Sequence, residues 1–207
     1  VNDLDMSTYC LYQCAKNHSL LRARQLHYSP NIFNFYLTNK TNSNWAIAEK
    51  EYVLRNMSRG GMKKHFAWSE RKRGGKPGDE NAWNNKLKQL PAIVDRLKNV
   101  EVCNLDCIDF LKKFNQPHYF AYLDPPYLQE TRTAKKVYNH EMSKQDHIDL
   151  LYYLRDEWKG KFLISGYESD LYKFMLKACN FDCLRMANNS GQNKIKNGRI
   201  ECVWRNY

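Results

Sequence analysis

The second half of the chain alternates short apolar segments with segments of helical periodicity. The apolar segments that read as strands are 100–103, 119–123 and 162–165, and the segments that read as helices are 107–114, 143–158 and 170–178. Such alternation predicts βαβ units, in which helices cross over between parallel strands, and therefore an α/β fold. A chain of 207 residues suits one domain, or one domain with an insertion.

The carboxyl-terminal region departs from this alternation. Segments 181–187 and 199–206 read as two consecutive strands, and the polar loop 188–198 joins them. Two strands in direct succession pair most simply as an antiparallel hairpin. Earlier in the chain, the helix 143–158 is predicted to begin with a capping box formed by Ser143 and Asp146. The sequence therefore predicts a mixed sheet whose last pair is antiparallel.

Positive charge is concentrated in one part of the sequence. The chain carries 33 Lys and Arg against 22 Asp and Glu, a net charge of +11. Residues 21–99 hold 16 basic and 6 acidic residues, whereas residues 100–207 hold 16 and 14. A local excess of this kind favours a polyanionic partner, most often nucleic acid and less often an anionic membrane surface.

The basic segment reads as helices around one glycine-rich loop. Trp45, Ala48 and Tyr52 repeat at helical spacing, and a second helical pattern between residues 83 and 97 contains Pro91, which predicts a kink or break. The loop between these helices is either a solvated surface loop or an element that grips phosphates, with aromatic residues available for stacking. The charge excess favours phosphate contacts by the basic residues in and beside the loop, namely Arg55, Arg59, Lys63, Lys64, Arg71, Lys72 and Arg73.

Cysteines and apolar runs exclude several classes. Of the 7 cysteines, six form three pairs spaced four residues apart, a spacing that zinc sites also use, but no histidine pair follows them. Buried, reduced thiols are therefore favoured over a metal site or a disulfide framework. The apolar runs are too short to span a membrane and the start of the chain does not resemble a signal peptide, so we expect a cytoplasmic protein without a membrane partner.

A distinctive tetrapeptide follows the apolar segment 119–123. It reads Asp124-Pro125-Pro126-Tyr127, and in open α/β sheets ligands bind beyond the carboxyl ends of strands. Two prolines stiffen the turn, so that a carboxylate, the Pro125 carbonyl and an aromatic ring project from one corner. The two acceptors suit both hydrogens of an amino group. An incidental strand-ending turn is the weaker alternative.

This tetrapeptide resembles the catalytic motif of amino-group methyltransferases, and its surroundings resemble the Dam-type DNA adenine methyltransferases of bacteria and phages. The following stretches fit that family in the matching order: Asn2-Asp3-Leu4-Asp5, 55–67, Asn104-Leu105-Asp106, Glu130-Thr131-Arg132, Tyr138, His140-Glu141, Ser165-Gly166-Tyr167 and 201–206. The tetrapeptide is specific for amino methylation, whereas each of the other stretches is a weak match by itself.

The resemblance implies a Rossmann-like sheet that uses S-adenosylmethionine, with an inserted and mainly helical recognition domain for double-stranded DNA. Residues 1–20 and 100–207 would form the catalytic domain, and residues 21–99 the insertion. The insertion would account for the position of the excess charge.

The resemblance also implies roles for individual residues. Catalysis on a flipped adenine would use Asp124, Pro125, Pro126 and Tyr127, and cofactor binding would use Asp3, Asp106 and Asp124. Three further cations near the motif are either phosphate contacts or part of a solvated basic loop: Arg132, Lys135 and Lys136. We expect His140 and His147 to be ordinary helix-start or surface histidines.

One family feature is missing. The family opens with a strand and a glycine-rich Phe-x-Gly-x-Gly turn for the methionine end of the cofactor, whereas Val1 aligns with the second strand. We therefore expect a truncated chain that binds the cofactor weakly. Two alternatives to the DNA adenine methyltransferase stay open: a catalytically inactive, DNA-binding remnant, and an amino-group methyltransferase for RNA or protein.

Overall fold

The computed structural model describes residues 1–132, 138–184 and 201–207. The chain forms two compact units, Val1–Leu105 and Asp106–Tyr207. Within the described residues, no helix is both long enough and apolar enough to cross a lipid bilayer. The domain boundaries given above, at residues 20/21 and 99/100, stay a prediction.

The first unit is built mainly from four α-helices. They are α1 (Met6–Lys16), α2 (Pro30–Thr38), α3 (Asn44–Met57) and α4 (Gly78–Leu97), with a 3₁₀ helix at Ser19–Gln25 between α1 and α2. Side chains of Asp5, Ser29 and Ser43 cap α1, α2 and α3 by accepting backbone N–H groups that would otherwise lack partners. Apolar faces of the helices bury a common core around Trp83.

Helix α4 confirms the predicted periodicity but is not broken at its proline. The residues at alternating spacings of three and four are buried: Trp83, Leu87, Leu90 and Val94. Pro91 lies inside the helix, which continues to Leu97. Since proline removes one backbone N–H donor, the helix loses one hydrogen bond there. Burial of the apolar face outweighs that loss, because Leu90 and Val94 on either side of the proline are almost fully buried.

The glycine-rich segment contains a short hairpin. Strands β1 (Lys72–Arg73) and β2 (Lys76–Pro77) pair antiparallel, and Gly74 and Gly75 form the turn with φ of 59° and 80°. A two-residue turn with two positive φ angles matches the twist of its strands, and glycine adopts it without strain.

The predicted strand 100–103 is shorter than expected. The extended pairing there is an isolated parallel bridge between Asn2 and Cys103. The Cys103 N–H donates to the Val1 carbonyl at 2.9 Å, and the Asp3 N–H donates to the Cys103 carbonyl at 3.2 Å. The pairing does not extend because Asp5 caps α1, so that the opposing segment becomes helical directly after it.

The second unit contains a four-stranded mixed sheet in the order β3-β4-β6-β5. Its strands are β3 (Phe120–Leu123), β4 (Lys161–Tyr167), β5 (Asn180–Leu184) and β6 (Glu201–Arg205). Strands β3 and β4 are parallel, whereas β6 pairs antiparallel with both β4 and β5. The mixed α/β class and the antiparallel final pair are thus confirmed. The loop that joins β5 to β6, residues 185–200, lies outside the described residues.

Three helices pack in the second unit: α5 (Cys107–Lys113), α6 (Lys144–Asp156) and α7 (Asp170–Met175). The capping box predicted for α6 is present, since Ser143 and Asp146 each accept the other's backbone N–H. Helix α7 ends three residues earlier than predicted. Gly160 precedes β4, and a Cβ atom there would lie 2.4 Å from the Tyr119 carbonyl oxygen, so only glycine fits.

Candidate active site

The Asp-Pro-Pro-Tyr segment begins directly after β3, at the carboxyl end of a strand whose neighbour runs parallel to it. Leu123 is in register with Ile164 of β4, which places the next residue, Ser165, beside the motif. The buried Ser165 hydroxyl lies 2.7 Å from Asp124 Oδ1 and 3.2 Å from the Leu123 carbonyl oxygen. Ser165 therefore fixes the orientation of a carboxylate that is itself exposed.

The aromatic residue of the motif is held from a different strand. The Tyr127 hydroxyl donates to Glu201 Oε1 of β6 at 2.8 Å. Its ring meets the Tyr167 ring edge-on, with centroids 4.8 Å apart and an interplanar angle of 79°. Burial, followed by the hydrogen bond to Glu201, raises the pKa of Tyr127 above its usual value. The phenol thus stays protonated at neutral pH and acts as a donor toward Glu201.

This corner can accept hydrogen bonds from a small amino group. Asp124 offers an oriented carboxylate, and the backbone carbonyl of Pro125 is a second acceptor on a stiff turn. The turn that carries these two acceptors can move little, because Ser165 holds the Asp124 carboxylate and Glu201 holds the Tyr127 hydroxyl. Held polar groups of this kind need no reorganisation when a substrate arrives. The predicted catalytic residues are thus one rigid segment, although their catalytic roles stay predictions.

His147 lies at a helix start, as one half of its prediction states, but it does not lie on the surface. It lies in α6 and is 0% exposed. Its Nδ1 is 2.9 Å from the Tyr172 hydroxyl of α7. Burial lowers the pKa of His147, and its Nε2 is buried with no hydrogen-bond partner among the described residues. The surface half of the prediction was wrong because His147 precedes Leu150 and Leu151 by three and four residues, which places it on the buried face of α6.

Arg132, a predicted phosphate contact, lies in an internal ion pair. Its guanidinium binds the Glu141 carboxylate, with side chains only 8% and 16% exposed, and it also lies over the Tyr138 ring at 5.7 Å. The Glu141 carboxylate also accepts the Tyr138 N–H at 3.0 Å. Glu141 therefore contacts both Arg132 and Tyr138. The other two predicted cations, Lys135 and Lys136, lie outside the described residues.

The predicted cofactor residues Asp3 and Asp106 occupy turns that precede helices. Asp3 Oδ1 accepts the Asp5 N–H at 2.9 Å, and Asp106 Oδ1 accepts the Ile108 N–H at 2.8 Å as the cap of α5. In the first unit, Asn2 and Leu105 exchange two hydrogen bonds of 3.0 Å. Each carboxylate thus has a defined orientation, and cofactor binding by either residue stays a prediction.

Two of the basic residues predicted to bind nucleic acid are engaged internally. The Glu51 side chain, 5% exposed, binds Arg55 and lies 3.0 Å from Lys63 Nζ. Arg55 Nη2 also donates to Thr8 at 3.0 Å. These two cations help to stabilise α1 and α3, because their charges compensate a buried carboxylate.

The remaining predicted cations of this group are placed differently. Those whose side chains are described are exposed and make no ion pair within the described part of the chain: Arg59, Lys64, Arg71 and Lys72. Arg73 contributes backbone to β1. The same segment exposes Met62 and Trp68, each at 55%. An exposed segment that combines charge with an aromatic ring suits nucleic-acid binding.

The described cysteines are free thiols. Cys10, Cys14, Cys103 and Cys202 are buried, and Cys107 and Cys179 are partly buried. Burial, the largest contribution, raises the pKa of Cys107 to about 11, so this thiol is unreactive at neutral pH. Among the residues that the structure describes, no group of three acidic, histidine or cysteine side chains could hold a metal ion.

Comparison with known families agrees with this site. The model of the D12 class N6 adenine-specific DNA methyltransferase family matches residues 1–189. The chain therefore belongs to the D12 class of DNA adenine methyltransferases. Membership confirms the predicted resemblance and supports DNA adenine methylation as the general activity of the family to which the chain belongs. A search of curated proteins finds no match.

Sequence reasoning assigned no role to two side chains that hold the motif, namely Ser165 and Glu201. Ser165 is a polar residue in an apolar strand, and it directly follows Ile164, the residue in register with Leu123. A polar residue at this position was a signal that the sequence alone could have given. Glu201 is separated from Tyr127 by 74 residues, and no local pattern in the sequence links the two.

Proposed function

We propose that the chain transfers a methyl group from S-adenosylmethionine to the exocyclic amino group of an adenine flipped out of double-stranded DNA. The observation that carries the proposal is the doubly held corner, in which Ser165 orients Asp124 and Glu201 orients Tyr127. Family membership supplies the adenine and the DNA. In this proposal the strands described here belong to a Rossmann-like sheet, and segment 21–99 is the inserted recognition domain.

The chain's own residues would act on the adenine amino group. Asp124 and the Pro125 carbonyl accept its two N–H bonds, which draws the nitrogen lone pair out of conjugation with the ring. The nitrogen forms a bond to the methyl carbon as the carbon–sulfur bond breaks, and the surplus proton leaves the nitrogen toward Asp124 or water. Positioning of two reactants in this way is worth on the order of 7–11 kcal/mol.

Tyr127 would hold the flipped base. Extruding a base from a duplex costs about a few kcal/mol, and stacking on an aromatic side chain returns roughly 1–3 kcal/mol. Glu201 keeps the ring in one orientation, because the phenol of Tyr127 donates to it. The ring is therefore ordered before substrate arrives.

The acidic residues present suit the cofactor that we propose. S-adenosylmethionine would supply a methyl group on a positively charged sulfur, together with ribose hydroxyls that carboxylates bind well. Asp3 would accept hydrogen bonds from the ribose hydroxyls of the cofactor, and Asp106 would lie beside the adenine ring of the cofactor. Both carboxylates have one oxygen fixed by a backbone N–H, at 2.9 Å and 2.8 Å respectively, which gives each a defined orientation.

The DNA would contact the exposed basic segment of the first unit. Arg59, Lys64, Arg71 and Lys72 are exposed, and Trp68 offers a stacking surface beside them. Contacts to phosphates give affinity without sequence specificity and weaken with salt. We propose that these four cations, rather than Arg55 and Lys63, provide that affinity.

The test is transfer of a labelled methyl group from S-adenosylmethionine to duplexes that contain adenine. We expect the chain to incorporate the labelled methyl group. Asp124→Ala should lower the rate of incorporation at least about 1,000-fold, because it removes a hydrogen-bond acceptor for the reacting amino group. Asp109→Asn changes an exposed carboxylate of the same unit, side chain 69% exposed, and should leave the rate unchanged. Equal incorporation by Asp124→Ala, or incorporation into RNA or protein alone, would refute the proposal.

A further inference from the structure

The first unit contains a cavity that the proposed reaction does not use. Its volume is about 470 Å³, which lies within the range of sites for small organic molecules. Residues of α3 spaced three or four apart lie on one side of that helix and line the cavity: Ile47, Lys50, Glu51 and Leu54. The first turn of α1 contributes Ser7. The cavity is therefore formed within one unit and by its regular helices.

The connection between α2 and α3 lines the cavity with polar side chains. The lining residues there are Lys40, Thr41 and Asn42. The Lys50 ammonium donates to the Asn39 carbonyl at 2.7 Å, which holds the start of the connection against α3. At the other end, the Ser43 hydroxyl caps α3. A connection held at both ends presents its side chains at defined positions.

Positive charges predominate around the cavity. Three lysines, Lys40, Lys50 and Lys63, line it together with one carboxylate, that of Glu51. This carboxylate is already compensated, because it binds Arg55 and lies 3.0 Å from Lys63 Nζ. Lys40 and Lys50 make no ion pair within the part of the chain that the structure describes. Two ammonium groups without a counter-charge beside one cavity favour an anionic ligand, and lysine is a common phosphate binder.

Neutral donors and apolar surface accompany the two lysines. The Thr41 hydroxyl and the Asn42 side chain make no hydrogen bond to another described residue. Both groups can donate to phosphate oxygens. Ile47 and Leu54 add apolar surface on α3. Because the space is much larger than an inorganic phosphate ion, this combination suits an organic phosphate.

Lys63 lines the cavity with a backbone conformation that is uncommon for lysine. Its φ is 59°, in the left-handed region. The Ser58 hydroxyl accepts the Lys63 N–H at 2.9 Å and Glu51 binds the Lys63 ammonium, so both the backbone and the side chain are held. Strained residues of this kind cluster at binding and catalytic sites. The strain is thus a second observation that marks this cavity.

We propose that the cavity is a binding site for a small organic phosphate. Lys40 and Lys50 would neutralise the phosphate. Thr41 and Asn42 would donate hydrogen bonds to its oxygens, and the apolar side chains of α3 would contact the organic portion. The proposal goes beyond methyl transfer, because no lining residue belongs to the Asp-Pro-Pro-Tyr corner. A DNA backbone offers the same phosphate chemistry, so the experiment must separate the two sources.

The first measurement is isothermal titration calorimetry at low salt with uridine 5′-diphosphate. This probe carries phosphates and an organic portion but no adenine, so it does not resemble the proposed cofactor. We expect saturable binding of uridine 5′-diphosphate, weaker binding of pyrophosphate and none of uridine. Absence of saturable binding by uridine 5′-diphosphate would overturn the proposal. Equal affinity for pyrophosphate would overturn the contribution of the organic portion.

Variants of the two lysines locate the binding. Lys40→Gln and Lys50→Gln should each weaken binding of uridine 5′-diphosphate about 10-fold, because each removes a charge-assisted contact. Lys40 is exposed, so Lys40→Gln should keep the wild-type melting temperature without ligand. Lys88→Gln changes an exposed lysine of α4 away from the cavity and should leave the affinity unchanged. Equal weakening in Lys88→Gln would show that net charge, and not the cavity, binds the probe.

Fluorescence anisotropy with an adenine-containing duplex separates the two sources of phosphate. We expect Lys40→Gln and Lys50→Gln to keep the wild-type affinity for the duplex while they lose affinity for uridine 5′-diphosphate. Weaker duplex binding by both variants, with no competition from uridine 5′-diphosphate, would assign the cavity to the DNA backbone and overturn the proposal. Neither measurement requires methyl transfer, so an inactive chain would count against the proposed function alone.

Discussion

The polar side chains of the Asp-Pro-Pro-Tyr corner, residues 124–127, are held by neighbouring side chains, whereas the cations of the basic segment 59–72 are not. At the corner, side chains from neighbouring strands hold the carboxylate of Asp124 at 2.7 Å and the phenol of Tyr127 at 2.8 Å. In the basic segment, Arg59, Lys64 and Lys72 are exposed and make no ion pair within the described residues. The first region restricts its polar groups, and the second leaves its charges exposed.

The difference matches two kinds of task. Methyl transfer requires acceptors held at fixed positions, because misplacement by about 1 Å can cost on the order of 100-fold in rate. Affinity for a phosphate backbone comes from counterion release, which depends on accessible charge and tolerates many geometries. If this interpretation is correct, substitutions at the corner should change the rate, and substitutions in the basic segment should change salt-dependent affinity.

Among the variants that test this comparison, the largest effect is expected at Ser165. Ser165→Ala removes the hydrogen bond to Asp124 and frees the carboxylate to rotate. A hydrogen bond to a charged group is worth about 1.5–3 kcal/mol, so kcat should fall by about 10- to 100-fold in the methyl-transfer assay. Ser169→Ala is the matched control: it removes the cap of α7, which costs about 1 kcal/mol of stability, and should leave kcat unchanged. Equal loss of kcat in both variants would show that stability alone determines the effect.

Glu51 separates cations that stabilise the fold from cations available to a ligand. Glu51→Gln leaves Arg55 and Lys63 without their buried counter-charge, although both side chains can still reach water at 45% and 31% exposure. We expect the free energy of unfolding, measured in urea, to fall by about 1–2 kcal/mol. The exposed Glu70→Gln makes the same change in charge and should stay within about 0.5 kcal/mol of wild type. A similar loss in both would remove the distinction.

The pH dependence of stability tests the effect of burying His147 in the second unit. Burial lowers its pKa, Arg132 adds to this, and Pro126, Asp146 and Glu130 oppose it. The unfolded state therefore binds the proton more readily, so stability from this group is present at neutral pH and is lost as the pH falls below the unfolded pKa of about 6.5. The slope from one group is at most about 1.4 kcal/mol per pH unit.

His147→Gln should remove that component of the pH profile, which urea unfolding at several pH values measures. The matched control is a change at exposed His140, for example His140→Gln, which should leave the slope as it is. A slope that persists in His147→Gln would mean that another group in the chain carries the acid sensitivity.

The sequence predicted the local features of the molecule better than its long-range contacts. The capping box at Ser143 and the position of Asp124 after a strand both follow from patterns within a few residues. By contrast, the contact between Tyr127 and Glu201 depends on the pairing of β6 beside β4, which no local pattern encodes.

Charge alone also did not show which arginines are paired within the fold. Arg55 and Arg132 read as ligand-binding cations, and each is paired with a carboxylate that the fold brings close, Glu51 and Glu141 respectively. A sequence gives the sign and the approximate position of a charge, but its exposure depends on which buried partners surround it. The charge excess therefore predicts a basic segment, and which of its residues contact phosphates stays a prediction.

The smallest effect is expected for single lysines of the basic segment. Lys72→Gln or Lys64→Gln should weaken binding to an adenine-containing duplex about 2- to 3-fold at low salt and reduce the slope of log affinity against log salt by about 1 each, uniformly across DNA sequences. Lys112→Gln removes an exposed charge from the second unit, side chain 60% exposed, and should leave the slope unaltered. Fluorescence anisotropy at several salt concentrations measures both quantities. If Lys112→Gln lowers the slope as much as Lys72→Gln, affinity follows net charge and the basic segment has no special role. If only the segment lysines lower it, while kcat at saturating DNA stays constant, exposed charge there serves binding and the held corner serves the reaction.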